Sequence, residues 1–87
     1  MDAETTLTVE QAYETTFRWL DRYFRATGSS SDDIGALLGS MQPMPIFNRP
    51  DDFKPDWSET ADPAVWGEWL GCAAETLRGD PYPWAKR

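Results

Sequence analysis

Apolar residues first recur at a helical spacing near the start of the chain, in the stripe Tyr13, Phe17, Leu20 and Phe24. Separations of three and four positions place side chains on one face of an α-helix. Just before this stripe, Thr8 is suited to cap the helix, and Gln11 completes a capping box by reaching back to the Thr8 amide. Gly28 is suited to end it. The pattern predicts a first helix over residues 8–27.

Two further aromatic residues, Trp19 and Tyr23, form a second strip beside the first one. A helix that is apolar over more than one face is typical of the centre of a fold, where it is contacted from two sides. Large aromatic side chains also help a small domain to bury enough surface. We therefore expect Trp19 in the core, together with Trp66 and Trp69 from later in the chain.

The next apolar repeat consists of Ile34, Leu37, Leu38 and Met41. It follows Ser31, which is suited to cap a helix, and Asp32 and Asp33, whose carboxylates favour the positive end of a helix dipole. The pattern predicts a second helix over residues 31–41. Two glycines inside it weaken a helix by about 1 kcal/mol each relative to Ala, so we expect it to dock closely on the first helix.

A third helix is predicted over residues 62–78, with the stripe Trp66, Leu70, Ala73 and Leu77. Asp62 is suited to the N-cap, Pro63 to the first helical position and Gly79 to the stop after the last turn. Cys72 lies beside the apolar stripe and has no basic neighbour in its own turn. We therefore expect Cys72 to be a structural core residue and not a reactive thiol.

Residues 42–61 contain four prolines and show neither helical nor strand periodicity beyond a short run at 44–47. Loops longer than about 12–15 residues are uncommon in compact domains and tend to be functional or disordered. This one carries the apolar residues Met44, Ile46, Phe47, Phe53 and Trp57. We expect an irregular loop that docks in part and covers an edge of the core.

The tail, residues 79–87, is extended by its prolines, carries Tyr82 and Trp84, and ends in Lys86 and Arg87. The two aromatic residues are candidates for packing back on the helices. Because no segment shows sustained strand alternation, the predicted class is all-α. The predicted architecture is one compact three-helix domain with a long Pro-rich acidic loop between helices 2 and 3.

The length of 87 residues and the hydrophobic content of 40% predict one folded domain of modest stability, too small for a deep catalytic cleft. A single cysteine makes no internal disulfide, and the first residues lack the basic and apolar regions of a signal peptide. No apolar stretch reaches the ~18–20 residues of a membrane span. We expect a cytoplasmic protein that does not bind membranes.

The chain contains no histidine, which removes the commonest general base, the usual nucleophile pairs and most transition-metal sites. The pairs Asp32-Asp33 and Asp51-Asp52 are the remaining candidates for acid–base or cation-binding chemistry. The first pair fits helix capping, and the second lacks the alternating ligands of a calcium loop. We expect no enzyme activity, no metal and no cofactor.

Negative charge is concentrated in the middle of the chain. The net charge is −7, and −6 of it falls between Ser29 and Cys72, where eight acidic residues accompany only Arg49 and Lys54. We call these eight the central carboxylates: Asp32, Asp33, Asp51, Asp52, Asp56, Glu59, Asp62 and Glu68. Such a field repels nucleic acid and anionic membranes and attracts a basic protein. Acidic surface is also an ordinary means of staying soluble, and that alternative stays open.

Trp57 and Trp84 lie in irregular, proline-rich surroundings beside acidic residues, a combination typical of aromatic anchors at protein interfaces. The alternative is simple packing of the loop and the tail on the helices. Combining the anchors with the charge, we predict a partner-binding set of Asp32, Asp33, Asp51, Asp52, Phe53, Asp56, Trp57 and Glu59.

Two segments carry a family resemblance. Residues 31–41, preceded by an aromatic helix ending near Tyr23 and Phe24, and residues 62–70 resemble small bacterial immunity proteins of contact-dependent growth inhibition and related polymorphic toxin systems. The resemblance covers about half of the chain. It implies a compact, acidic protein that binds the catalytic domain of its cognate toxin and blocks it.

The leading hypothesis is an immunity-type inhibitor whose acidic surface occludes the basic active site of a toxin, such as a nuclease. The alternative is an acidic nucleic-acid mimic, a phage-type inhibitor or regulator that binds a DNA- or RNA-binding protein. A plain structural domain or a small carboxylate enzyme remains as a third interpretation.

Overall fold

A computed structural model describes residues 1–82 and Trp84. The predicted basic end of the tail, Lys86 and Arg87, lies outside the described residues. The chain forms three helices, α1 (Val9–Ala26), α2 (Asp32–Met41) and α3 (Pro63–Arg78). Within the described residues the only strand-like pairing is a single antiparallel bridge between Pro43 and Thr60. The all-α class is therefore confirmed.

The helix ends follow from local side-chain chemistry. Thr8 and Gln11 form the predicted capping box, with the Gln11 amide donating to Thr8 Oγ1 at 3.1 Å and the Thr8 amide to Gln11 Oε1 at 3.0 Å. Ser31 caps α2, and Asp62 caps α3 by accepting from the Ala64 amide at 3.0 Å. Because these bonds satisfy backbone amides that have no partner inside the helix, they fix where each helix begins.

The first two helices pack antiparallel along the predicted stripe. The Tyr13 hydroxyl donates to the Met41 carbonyl at 2.8 Å, and the Phe24 ring lies against Gly35 at the other end of α2. A Cβ on Gly35 would lie 3.4 Å from the Phe24 ring, at the close end of ordinary van der Waals contact. The two helices therefore approach closely at Gly35, with room for little more than a methyl group.

Helix α3 meets the other two around Tyr13, which is fully buried. Trp66 and Trp69 present their rings to Tyr13 edge-on, with centroids 5.2 and 5.4 Å away, and stack on one another at 5.9 Å. Edge-to-face pairs at these separations are favourable beyond the area they bury. Both tryptophans are half-buried, and this aromatic cluster is what joins α3 to α1.

The core predictions for Trp19 and Cys72 are wrong, since Trp19 is 65% exposed and Cys72 is exposed as well. Leu77, a member of the apolar stripe predicted for the third helix, is 86% exposed. Trp19 stacks on its own helix neighbour Tyr23, at 6.5 Å, in place of packing inward. The physical reason is that α2 packs on only one face of α1, while α3 contacts α1 through Trp66 and Trp69 in its first half. Trp19 therefore lies on a side of α1 that neither helix covers.

The tail turns back beside the end of α3, where Tyr82 lines an open depression together with Cys72, Glu75 and Thr76. Tyr82 and Trp84 are 66% and 67% exposed and stack on each other, with centroids 4.7 Å apart and planes 8° from parallel. Arg78 of α3 forms an ion pair with Asp80 at 2.9 Å just after the helix ends. Of the two candidates for packing on the helices, Tyr82 thus lies beside α3, and both aromatic rings stay mostly exposed.

Candidate functional site

The long loop between α2 and α3 is closed at its base. The Met44 amide donates to the Glu59 carbonyl at 2.7 Å, and the Ala61 amide to the Gln42 carbonyl at 2.8 Å. Thr60 beside this neck is buried, and its hydroxyl donates to the Asp62 carbonyl at 2.7 Å. The ends of the loop are thus held together, as in the compact surface loops that carry function in many proteins.

Trp57 docks the loop on α1. Its ring centroid lies 5.4 Å from that of Phe17 and 5.9 Å from that of Tyr13, and its side chain is half-buried. Trp57 therefore packs the loop onto the helical core and still exposes part of its surface. The prediction of a partly docked loop is confirmed, although Met44, Ile46 and Phe47 are exposed.

Arg49 organises the tip of the same loop. Its guanidinium donates to the carbonyls of Pro45 and Pro43, the latter at 2.6 Å, and lies over the Phe53 ring at 4.9 Å from the centroid. Phe53 is half-buried beneath it. Because Arg49 is engaged by backbone carbonyls and an aromatic face, its charge does not pair with the neighbouring Asp51 or Asp52.

All eight central carboxylates are exposed, and none of them makes an ion pair within residues 1–82. The ion pairs in that part of the chain lie elsewhere: Arg18 with Glu14 at 2.6 Å, Arg25 with Asp21 at 3.0 Å, and the pair after α3. The cations of α1 are thus partly neutralised locally, whereas the negative charge of the middle segment is directed to solvent without compensation.

Asp56 accepts two hydrogen bonds from its neighbour Ser58. The Ser58 hydroxyl donates to it at 2.6 Å and the Ser58 amide at 3.0 Å, and these hydrogen bonds hold the pKa of Asp56 below its usual value. Asp56 therefore keeps its negative charge to a lower pH than an ordinary aspartate. The same two bonds span Trp57, the residue between Asp56 and Ser58, and so hold the backbone at Trp57 in place.

The predicted set occupies two segments of the fold. Asp32 and Asp33 lie in the first turn of α2, whereas the loop leaves α2 at its opposite end, after Met41. Ten helical residues span about 15 Å. The six loop members of the set therefore lie together on one segment that is held at its neck. They are Asp51, Asp52, Phe53, Asp56, Trp57 and Glu59.

Two kinds of surface were not predicted from the sequence. One is an open groove of about 470 Å³ between the docked Trp57 and α1, lined by Phe17, Arg18, Asp21, Arg22 and Arg25. The other consists of two apolar depressions that share Trp69; one lies between α1 and α3, and the second is also lined by α2. Both depend on where separate segments come together, and periodicity along one helix gives no signal for that.

Within the part of the chain that the structure describes, no three carboxylate or cysteine side chains are grouped as a metal site would require. Among residues 1–82 and Trp84, no helix has both the length and the apolar character needed to cross a bilayer.

Comparisons with models of known protein families, with curated proteins and with solved structures found no match. What this chain does must therefore be inferred from its own residues.

Proposed function

We propose that this chain is an inhibitory binding protein that presents its acidic loop to a basic protein partner. In the form that the sequence resemblance suggests, it is a cytoplasmic immunity-type protein that occludes the catalytic domain of a cognate toxin, such as a nuclease. It performs no reaction of its own and needs no cofactor. The observation that carries the proposal is the set of exposed, unpaired carboxylates on a loop pinned at its neck.

The pinned loop supports this proposal energetically. A flexible loop loses conformational freedom when it binds, whereas one already held by the neck bonds, by Trp57 and by Arg49 loses less. The partly exposed Trp57 and Phe53 rings add apolar contact area within a ring of charge. Aromatic anchors surrounded by polar groups are the arrangement in which binding energy concentrates at interfaces.

Charge supports the choice of a basic partner. Exposed carboxylates without local counterions attract a cationic surface from a distance and speed its encounter. They also repel nucleic acid and anionic membranes. Nuclease active sites are basic because they must attract phosphates. An acidic surface of this kind is therefore suited to bind such a site and occlude it.

The test begins with affinity capture by the wild-type chain from its source cell, followed by purification of the captured protein. Its activity is then measured with and without the chain. We expect a basic protein whose catalytic activity the chain inhibits. In the variant Asp51→Asn, Asp52→Asn, Asp56→Asn the association rate is expected to fall roughly tenfold with unchanged helical circular dichroism.

A matched control removes the same charge elsewhere, at the exposed residues Glu4→Gln, Glu10→Gln and Glu75→Gln. This control is expected to retain most of the binding. If both triple variants bind equally well, the loop is not the interface. If the captured protein is a DNA- or RNA-binding protein without toxin activity, and nucleic acid competes with the chain for it, the nucleic-acid mimic replaces the immunity-type inhibitor.

A further inference from the structure

The open groove beside Trp57 joins the acidic loop to an arginine-rich side of α1. We call it the Trp57 groove, and its lining residues are Phe17, Arg18, Asp21, Arg22, Arg25 and Trp57. Trp57 is also a member of the predicted partner-binding set, and its side chain is only half-buried. A partner that covers the exposed part of Trp57 therefore meets the groove as well as the loop.

Arg22 is the cation of this groove that makes no ion pair within the described residues. Arg18 pairs with Glu14 through its Nε atom. Arg25 pairs with Asp21 in the same way. The Arg22 side chain is exposed, and a guanidinium presents its N–H donors in a planar fork that matches a carboxylate. The groove therefore carries an uncompensated positive charge next to a loop of uncompensated negative charge.

The exposed aromatic strip of α1 lies on the far side of Arg22. Trp19 and Tyr23 are 65% and 53% exposed and stack with ring centroids 6.5 Å apart. Because a helix turns by about 100° per residue, Arg22 lies on the helix surface between Phe17 and Trp19. Tryptophan, tyrosine and arginine are the side chains enriched at protein interfaces and at their hot spots. The surface beyond the groove thus has the composition of an interface.

The size of a stable interface brings Arg22 into contact with any partner centred on Trp57. A partner that buries roughly 800 Å² of this chain covers a patch about 12–16 Å in radius. The Trp57 and Phe17 ring centroids are 5.4 Å apart, and Arg22 is about 8 Å along the helix axis from Phe17. The patch therefore reaches Arg22. A uniformly basic partner would place cations against it, and like charges brought together in an interface are costly.

We propose that the partner interface extends from the acidic loop across the Trp57 groove to Arg22 and Trp19, and that the partner places a carboxylate against Arg22. This inference rests on the proposed function and specifies the partner further: its basic surface has an acidic group at its edge. Trp57 and Trp19 lie on either side of Arg22 and shield the ion pair from water, which strengthens it. Opposite charges side by side also fix the register of the two proteins.

Arg22→Gln tests the proposal through the association and dissociation rates of the partner that the wild-type chain captures. The substitution makes the acidic chain more negative, so electrostatic steering alone predicts association with a basic partner that is unchanged or faster. A carboxylate bound to Arg22 predicts the opposite change in affinity, with dissociation at least tenfold faster. Arg22→Lys is expected to recover part of the loss, because it keeps the charge without the planar fork.

Matched controls remove the same groups at the other end of α1. Arg78→Gln removes an exposed arginine whose neighbour Leu77 lines a depression with Val9 at the beginning of that helix. It is expected to leave the dissociation rate unchanged. Trp19→Ala is expected to speed dissociation several-fold, whereas Leu77→Ala, at a residue that is 86% exposed, is expected to have no effect. Circular dichroism is expected to show the same helix content in every variant.

The outcomes separate this inference from the proposed function. Arg22→Gln that dissociates as slowly as the wild type, or a defect that Arg78→Gln shares, overturns the contact at Arg22. A lysine variant no better than the glutamine variant overturns the assignment of a carboxylate. If the chain neutralised at Asp51, Asp52 and Asp56 loses binding in the same experiment, the proposed function stands without this extension. If that chain binds normally, or if no basic protein is captured, the proposed function falls and this inference falls with it.

Discussion

The Tyr13 side chain connects the separate parts of the molecule. It is fully buried. Its ring contacts Trp57, Trp66 and Trp69, and its hydroxyl donates to the Met41 carbonyl. Burial raises the pKa of Tyr13 to about 12, because the charged phenolate is disfavoured away from water. One residue thus links α1 to α2, to α3 and to the loop.

Tyr13→Phe keeps the ring and removes the hydroxyl, which leaves the Met41 carbonyl without its donor. We expect the free energy of unfolding, measured by urea denaturation at neutral pH, to fall by about 1–3 kcal/mol. Thr16→Val, which removes a hydroxyl that bonds only within α1, is the control and is expected to have a smaller effect. Equal stability of wild type and Tyr13→Phe would contradict the role of this bond.

The pH dependence of the same variant follows from linkage. The folded-state pKa of about 12 lies above the ordinary value of 10.0, so between these values the folded chain keeps a proton that the unfolded chain releases. The contribution of Tyr13 to stability is therefore complete below pH 10 and is lost as the pH rises toward 12. Urea midpoints measured between pH 9 and pH 11 are expected to fall more steeply for the wild type than for Tyr13→Phe.

At the scale of elements, the acidic loop behaves as a unit with three attachments: the bridge at its neck, Trp57 on α1, and Arg49 at its tip. The helix boundaries, by contrast, are set by neighbours along the chain, such as Thr8 with Gln11 and Asp62 with Ala64. This difference explains which parts of the fold were predictable. Capping joins residues only two or three positions apart, whereas the neck joins Gln42 to Ala61 and exists only once the helices have packed.

Trp57→Ala is expected to destabilise the protein by roughly 2–3 kcal/mol, toward the lower end of large-to-small aromatic substitutions because the side chain is only half-buried. Phe47→Ala in the same loop is the control, since Phe47 is 79% exposed, and its effect is expected within about 0.5 kcal/mol. Thermal and urea unfolding of both variants measure this. If the two substitutions are equally mild, Trp57 does not anchor the loop.

At the scale of the whole molecule, unpaired negative charge is concentrated in one part of the fold. The central carboxylates make no ion pair within the described residues, whereas Arg18 and Arg25 of α1 pair with Glu14 and Asp21. Because added ions screen exposed charge, binding of the proposed basic partner is expected to weaken with salt.

The association rate with the proposed basic partner is therefore expected to fall several-fold between low and physiological ionic strength, because screening removes electrostatic steering. Stopped-flow measurement over a salt series gives this slope. The variant neutralised at Asp51, Asp52 and Asp56 is expected to show a shallower slope than the wild type. An association rate that does not change with salt would show that electrostatic steering does not contribute to binding.

The sequence by itself determined the three helices, their ends and the concentration of negative charge, because capping, proline placement and residue charge act locally. Tertiary structure alone decided which apolar faces are covered. Trp19 and Tyr13 both lie on apolar strips of α1, yet one is 65% exposed and the other fully buried. Burial requires a second surface, and only the packing of α2, α3 and the loop determines which strip receives one.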